Sequence, residues 1–431
     1  MMPAAGAPST RAPRDQRRIA ATARRSSRQE SLAESAVLPA LPAQSASRLR
    51  PPCILVSRDA DSYHAPPVPI AAPSRPVVRP CARLLPPAAA GVAAARRKRG
   101  DDVWPLRRRG VDFGWVVALQ RAPADPRTVE RAWRAGEPVF APGMLGDGPV
   151  RHAAAIAQSL RMFDRLRRGG DFLRELERRL ADDAHLRYAG STVDHSDPRE
   201  IERVFVDAHE GTRKVAEHLW AKLAWIADDG TDRSLRIRFS SGHEQLEDWL
   251  QQTAATARWV DEFAARAFPE CAAVAGCAPL LATLRTLIAR PFRLSERIVY
   301  NNAPGGGAVF HHDAEPGQLG VAYNQLEGRT AWLTLAKRRL ARLLVRCGAA
   351  RHERAAMARL DRDGDEALWR LLNRDIAFCQ QLSAHGALYV LVAGDSILLP
   401  SHGIDDVAWH SVFALGERPS LAHSYGIFPD V

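Results

Sequence analysis

The residues best suited to chemistry lie in the last third of this 431-residue chain. His311 and Asp313 are separated by one residue within 308–313, a stretch with the composition of a β-strand. Both side chains therefore leave the same face, while His312 points the other way. A later strand-like stretch, 407–415, offers His410 as a third donor. Two histidines and one carboxylate form the facial set of non-haem Fe(II) sites, which leaves three coordination positions open. His402 and His423 compete for the third place. His402 follows Pro400-Ser401 and precedes Gly403, the setting of a loop. If Gly416-Glu417-Arg418-Pro419 makes a hairpin, antiparallel pairing sets His410 opposite Tyr425 and Val412 opposite His423. His423 and Tyr425 would then line the same pocket.

An HxD pair is frequent by itself and gains weight here because a distal histidine follows the Gly394-Asp395 turn on a second strand. Other motifs have plainer explanations. Asp361-Arg362-Asp363-Gly364-Asp365 imitates a calcium loop, but its glycine stands fourth instead of sixth and the distal glutamate is missing, so a helix-capping turn is expected. Gly305-Gly306-Gly307 is followed by neither Lys-Ser/Thr nor a helix start, which favours a flexible hairpin turn over a phosphate cradle. Asn301 and Asn302 lead into it, and one of them is expected to face the pocket. Trp332 and Trp409 are expected in the core.

These residues need strands to position them. From 297 onward the sequence breaks into short runs, 297–302, 308–313, 319–326, 330–335, 387–392, 396–400, 407–415 and 420–428, separated by glycine-bearing turns. Eight such strands suit a closed or nearly closed barrel. Residues 337–383 interrupt them with helical spacing, as in Leu340, Leu343, Leu344 and Leu368, Leu371, Leu372. Upstream, amphipathic runs over 151–168, 201–228 and 244–268 point to a mainly helical domain spanning 101–290. Residues 1–100 are rich in Ala, Pro and Arg, show no periodicity and are expected to be a disordered basic tail. The expected fold class is α+β: tail, helical domain, and a double-stranded β-helix of the cupin or jelly-roll kind over 291–431.

The chain resembles the JmjC and cupin-like 2-oxoglutarate oxygenases, the group that includes protein asparaginyl hydroxylases. The resemblance spans about 297–428 and rests on Phe310-His311-His312-Asp313, Gln325-Leu326-Glu327-Gly328-Arg329-Thr330-Ala331-Trp332, Gly394-Asp395-Ser396-Ile397-Leu398-Leu399-Pro400 and Trp409-His410-Ser411-Val412. It implies Fe(II) on His311, Asp313 and His410, with 2-oxoglutarate as co-substrate and hydroxylation of a small molecule or a peptide or protein side chain. Two departures matter. The family places a lysine two residues before the tryptophan to bind the far carboxylate of 2-oxoglutarate, and Thr330 stands there. A threonine gives one hydrogen bond without the charge assistance that a buried carboxylate favours. Tyr323 on the neighbouring face, or a cation from Arg329, Lys337 or Arg418, is a replacement for it. The second departure is the stretch Ser401-His402-Gly403-Ile404-Asp405-Asp406 between Pro400 and His410, which keeps His402 in contention. A cupin-type metal enzyme without 2-oxoglutarate and a non-catalytic binding protein of the same fold are the competing functions.

Charge excludes less than its total of +11 implies. Of 60 basic and 49 acidic residues, 17 and 5 fall within 1–100, leaving 43 and 44 for the rest, so no nucleic-acid partner is expected of the folded part. Cys53, Cys81, Cys271, Cys277, Cys347 and Cys379 show no CxxC spacing and are expected to be reduced thiols. No apolar run reaches the ~18–20 residues of a membrane span. Twin arginines at 17–18 and 24–25 precede no apolar segment of export-signal length, so a cytoplasmic protein is expected, with the helical region as a surface for homodimerisation.

Overall fold

The structure, a computed structural model, describes residues 76, 82–119, 124–228, 230–242, 254–313 and 315–430. Its strands are β1 (Ala82–Leu85), β2 (Val103–Arg108), β3 (Val111–Ala118), β4 (Val139–Ala141), β5 (Leu186–Thr192), β6 (Glu200–Glu210), β7 (Arg213–Trp225) and β8 (Leu235–Ser241). They continue with β9 (Phe292–Asn302), β10 (Gly320–Glu327), β11 (Arg329–Ala336), β12 (Leu388–Val392), β13 (Ser396–Pro400), β14 (Ala408–Leu415) and β15 (Ser420–Pro429). Three antiparallel sheets result: β1-β3-β2, the nine-stranded β4-β13-β10-β15-β9-β8-β7-β6-β5, and β12-β11-β14.

Period-two alternation lets single strands serve two cores. In β11, Trp332 points between the large and small sheets, where it meets Val321, Tyr323, Leu399 and Val412. Its neighbours Ala331, Leu333 and Leu335 point outward. In β14 the same alternation turns Ala408 and Val412 inward and Trp409 and Phe413 outward. His410 shares the inward face.

Helices cover the outer faces. α1 (Ala90–Lys98) and α2 (Pro126–Arg134) come first; the latter has Pro126 at its first turn and an Asp125 carboxylate that accepts from the Thr128 amide at 3.0 Å. α3 (Gly148–Arg151), α4 (Ala153–Arg167), α5 (Phe172–Leu180), α6 (Ala254–Ala267), α7 (Ala272–Ala275) and α8 (Ala278–Ile288) follow. Ile156, Phe163, Phe172, Phe263 and Leu284 from this group bury against Val204, Leu219, Ile237 and Tyr425 of the large sheet. The insertion forms α9 (Lys337–Arg346), α10 (Glu353–Leu360), α11 (Glu366–Arg374) and α12 (Ile376–Ala384), packed with the β1–β3 sheet onto the outer face of β11 and β14.

Residues 101–290 are thus not a separate helical domain. The 151–168 helix is present as α4, and α6 covers the described part of 244–268. The run 201–228, expected as a helix, is instead the β6–β7 hairpin, turned at Gly211 with φ 63°. β4 and β8 belong to the same sheet as β9, so the expected boundary at 290 cuts through a hydrogen-bonded ladder. The expected tail is shortened too, because β1 and α1 lie within 82–98. Its earlier part, with the twin arginines, Cys53 and Cys81, lies outside the described residues. Cys271, Cys277 and Cys379 are buried free thiols and Cys347 is an exposed one. Among the described residues no single helix is long and apolar enough to cross a membrane. One bent pair of short helices, Pro269–Ala275 with Ala278–Ile288, passes that test by composition, and its Val274, Leu280 and Leu284 are core residues.

Candidate metal centre

Residues 308–313, expected as a strand, run beside β14 without forming one. His311 and His410 make an isolated antiparallel bridge. Continued in register, that bridge would put Val309 opposite Val412, but the Val412 amide donates to the Ala308 carbonyl at 2.9 Å, a slip of one residue. The next amides are diverted to side chains. Phe310 N–H donates to Asn373 Oδ1 of α11 at 2.7 Å and Gly307 N–H to Asp232 Oδ2 at 2.8 Å. Gly307 sits at φ 127°, and a Cβ there would run into the Val412 carbonyl. Arg108, at the end of β2, donates to the Ala308 carbonyl at 2.8 Å, to Ser411 Oγ and to Asn373 Oδ1 at 3.1 Å. The loop is an irregular segment held by three distant parts of the chain.

Its geometry delivers the expected cluster. His311 Nε2 lies 3.5 Å from Asp313 Oδ1, and His410 Nε2 lies 3.5 Å from Asp313 Oδ2. One donor atom from each of the three falls within 4.8 Å of the others, close enough to share one ion. His311 Nδ1 is 2.7 Å from the Val309 carbonyl, which assigns its proton to Nδ1 and leaves the Nε2 lone pair facing the cluster. His410 is stacked on Trp332 with ring centroids 5.3 Å apart. His312 points away and packs on Trp409, as alternation requires.

Electrostatics suit a ligand set. Burial would push the Asp313 carboxyl up, yet the hydrogen bond and the charge of His311 hold it well below the usual carboxylate range. Burial, followed by the charge of His311, pushes His410 down to about 3, so it is neutral and can offer a lone pair. His311 is shifted up, burial being outweighed by Asp313. This donor set is one that holds Fe(II) with open positions.

Beside the cluster is a cavity of about 200 Å³. Val321, Tyr323, Trp332 and Leu399 wall its buried end, together with Asn302 and Ser424. Burial raises the hydroxyl pKa of both Tyr300 and Tyr323, keeping them protonated donors. Of the two asparagines, Asn302 faces the cavity, its amide 3.5 Å from Tyr323 Oη, whereas the Asn301 amide turns to the Ser420 carbonyl at 3.1 Å.

The remaining sequence-predicted residues stand elsewhere. Thr330 is buried in the wall, donating to Gln325 Oε1 at 2.8 Å and accepting from Trp332 Nε1 at 3.1 Å. His402 is exposed, its Nε2 3.1 Å from the Trp133 carbonyl. His423 and Tyr425 do not line the pocket. β14 pairs with β11 whereas β15 pairs with β10 and β9, so residues 416–419 cross between sheets and make no hairpin. His423 instead lies in the helix-covered core, 3.5 Å from Glu270, and Tyr425 lies under the Arg297 guanidinium. Nor do the proposed replacement cations reach the cavity. Lys337 pairs with Asp361, Arg329 lies over Trp104, and Arg418 lines a separate surface groove.

Arg199, Arg236 and Tyr300 line the cavity and were not anticipated. The signal for Arg236 was the alternation Leu235-Arg236-Ile237-Arg238-Phe239, a strand pattern with arginines on one face.

No protein-family model matches the chain, and no curated protein does. Solved structures give partial overlaps. SnoN, a non-heme alpha ketoglutarate dependent epimerase from nogalamycin biosynthesis, is 14% identical over 70% of this chain and 83% of its own, with a TM-score of 0.29. YcfD, a ribosomal oxygenase from Escherichia coli, is 14% identical over 61% of this chain and 44% of its own, with a TM-score of 0.22. HygX from Streptomyces hygroscopicus, with nickel, 2-oxoglutarate and hygromycin B bound, is 15% identical over 37% and 65%, with a TM-score of 0.23. Likenesses at these TM-scores carry no argument here, and the functional reading rests on the site itself.

Proposed function

We propose that the chain is an Fe(II)- and 2-oxoglutarate-dependent oxygenase of the double-stranded β-helix type, acting on a small molecule or on a peptide or protein side chain. The observation that carries this is the convergence of His311, Asp313 and His410 on one point at the side of a cavity with a buried end. Iron bound there would supply oxygen activation coupled to decarboxylation of the co-substrate. His311 is pre-oriented by the Val309 carbonyl, and His410 is kept neutral by burial. Tyr323 and Asn302, whose amide donates to the Tyr323 hydroxyl, line the buried end and would hydrogen-bond a co-substrate there, with Trp332 as an apolar wall beside them. Among the described residues no lysine or arginine lines that end, an observation that favours, as a second reading, a metal enzyme of this fold that does not use 2-oxoglutarate.

Anaerobic addition of Fe(II) and 2-oxoglutarate separates the two. The first reading expects a visible charge-transfer band, then succinate when oxygen and substrate are admitted. Stoichiometric iron without any effect of 2-oxoglutarate would establish the second reading, and no metal binding at all would leave a binding protein.

A further inference from the structure

The two ends of the cavity differ in exposure and in charge. At the buried end the polar groups are the hydroxyls and amide of Tyr323, Ser424 and Asn302. At the half-buried end stand Arg199, Ile226, Arg236 and Tyr300, next to the partly exposed His311 and Asp313. That end is the mouth.

Its arginines are not equivalent. Arg199 is engaged by Asp197, Nε to Oδ1 at 3.0 Å; Arg238, two residues beyond Arg236 on β8 and outside the cavity lining, is engaged by Glu296 at 2.6 Å. Arg236 makes no hydrogen bond or ion pair among the described residues. Register places it opposite Tyr300 of β9. Leu235, Ile237 and Phe239 enter the helix-covered core, which turns Arg236 to the cavity face of β8. Burial pushes its guanidinium down from its ordinary value, and Arg199 and Arg238 add like charge. Half-buried on the cavity wall, this guanidinium has nitrogens open to a ligand and no protein acceptor among the described residues, so an anion in the cavity would complete its hydrogen bonding. The fork of a guanidinium matches an oxyanion in two parallel hydrogen bonds.

We infer that the primary substrate carries an oxyanion, a carboxylate or a phosphate, which Arg236 holds at the mouth so that the neighbouring carbon faces the His311, Asp313 and His410 cluster. The reaction at that carbon rests on the function proposed above; the anion site rests on Arg236 alone. The buried neutral end is left to the co-substrate.

The test titrates two probes into the full chain. Inorganic phosphate is titrated into chelator-treated protein by calorimetry, and 2-oxoglutarate into Fe(II)-loaded protein under nitrogen. Arg236→Gln weakens phosphate about tenfold or more, Arg236→Lys retains part of the affinity, and 2-oxoglutarate affinity changes less than about threefold. The unliganded Arg236→Gln protein melts no lower than wild type, because it loses a charge that has no hydrogen bond or ion pair among the described residues. Absence of saturable phosphate binding, or equal binding by Arg236→Gln, overturns the site. Parallel tenfold losses for phosphate and 2-oxoglutarate assign Arg236 to the co-substrate and overturn the substrate assignment. If wild type binds phosphate through Arg236 but neither iron nor 2-oxoglutarate, the oxygenase reading fails and the anion site stands.

Discussion

His311 and His410 are joined by two reciprocal backbone hydrogen bonds, His311 N to His410 O at 2.9 Å and His410 N to His311 O at 2.8 Å. This tight pair fixes the two imidazoles side by side, with ring centroids 4.2 Å apart, before any ion is present. The ligand set is therefore held by the main chain, and Asp313 needs only one further residue of loop to join it.

Metal content separates the ligands from their rival. His311→Ala, Asp313→Ala and His410→Ala are each expected to abolish stoichiometric iron, while His402→Ala retains it, since His402 is tied to the Trp133 carbonyl. Elemental analysis of the four purified variants checks this. Loss of iron from His402→Ala alone would reverse the assignment.

Arg108 braces the loop that carries His311 and Asp313. Its guanidinium is buried, pushed down to about 9 chiefly by burial and next by Arg109, and it bonds the loop, β14 and α11 together. Arg108→Met keeps the bulk and removes the bonds. Metal affinity, measured by chelator competition, is expected to fall about 10–100-fold while the three ligands remain. Affinity equal to wild type would show that the loop holds its shape without this clamp.

Tyr323→Phe removes one hydroxyl from the buried end and leaves the ring that contacts Trp332. Loss of one hydrogen bond of about 1 kcal/mol weakens 2-oxoglutarate about fivefold without changing iron content. An unchanged dissociation constant would place the co-substrate elsewhere in the cavity.

Asp365 reports on the helical insertion. Its carboxylate takes both Arg359 nitrogens at 2.8 Å and accepts from the Leu368 amide at 3.0 Å, which lowers its pKa from 3.8 to about 2. Because the folded-state value lies below the unfolded one, the stabilisation is complete above about pH 4 and lost as pH falls toward 2. Asp365→Ala is expected to cost about 1 kcal/mol at neutral pH as a lost helix cap, and Asp365→Asn less. Denaturant titrations at pH 7 and pH 3 check both, the difference from wild type shrinking at the lower pH.

Much of the C-terminal architecture was legible. The expected strand 396–400 coincides with β13, and 387–392 begins one residue before β12, because short apolar runs between glycine turns leave little choice. The hairpin of β6 and β7 was hidden by arithmetic. Val215, Leu219 and Leu223 are four apart, a spacing that satisfies a strand and nearly satisfies a helix; only Ala221, buried between the last two, breaks the tie. The misplacement of His423 and Tyr425 has another origin. A four-residue link can turn a hairpin or step between sheets about 10 Å apart, and local sequence does not choose. Arg236 needed β8 to be recognised as a strand before its face had meaning.

The clamp on the metal loop also sets an order of events. Arg108 is synthesised 303 residues before Ser411, and Asn373, which receives Phe310, lies between them. A nascent chain that has produced His311 and Asp313 lacks the strand that bridges them, and contacts of such sequence separation form late and slowly. Closure of the three-residue cluster therefore waits for β14 to be made and paired, so metal occupancy of the site would double as a measure of how much of the polypeptide has matured.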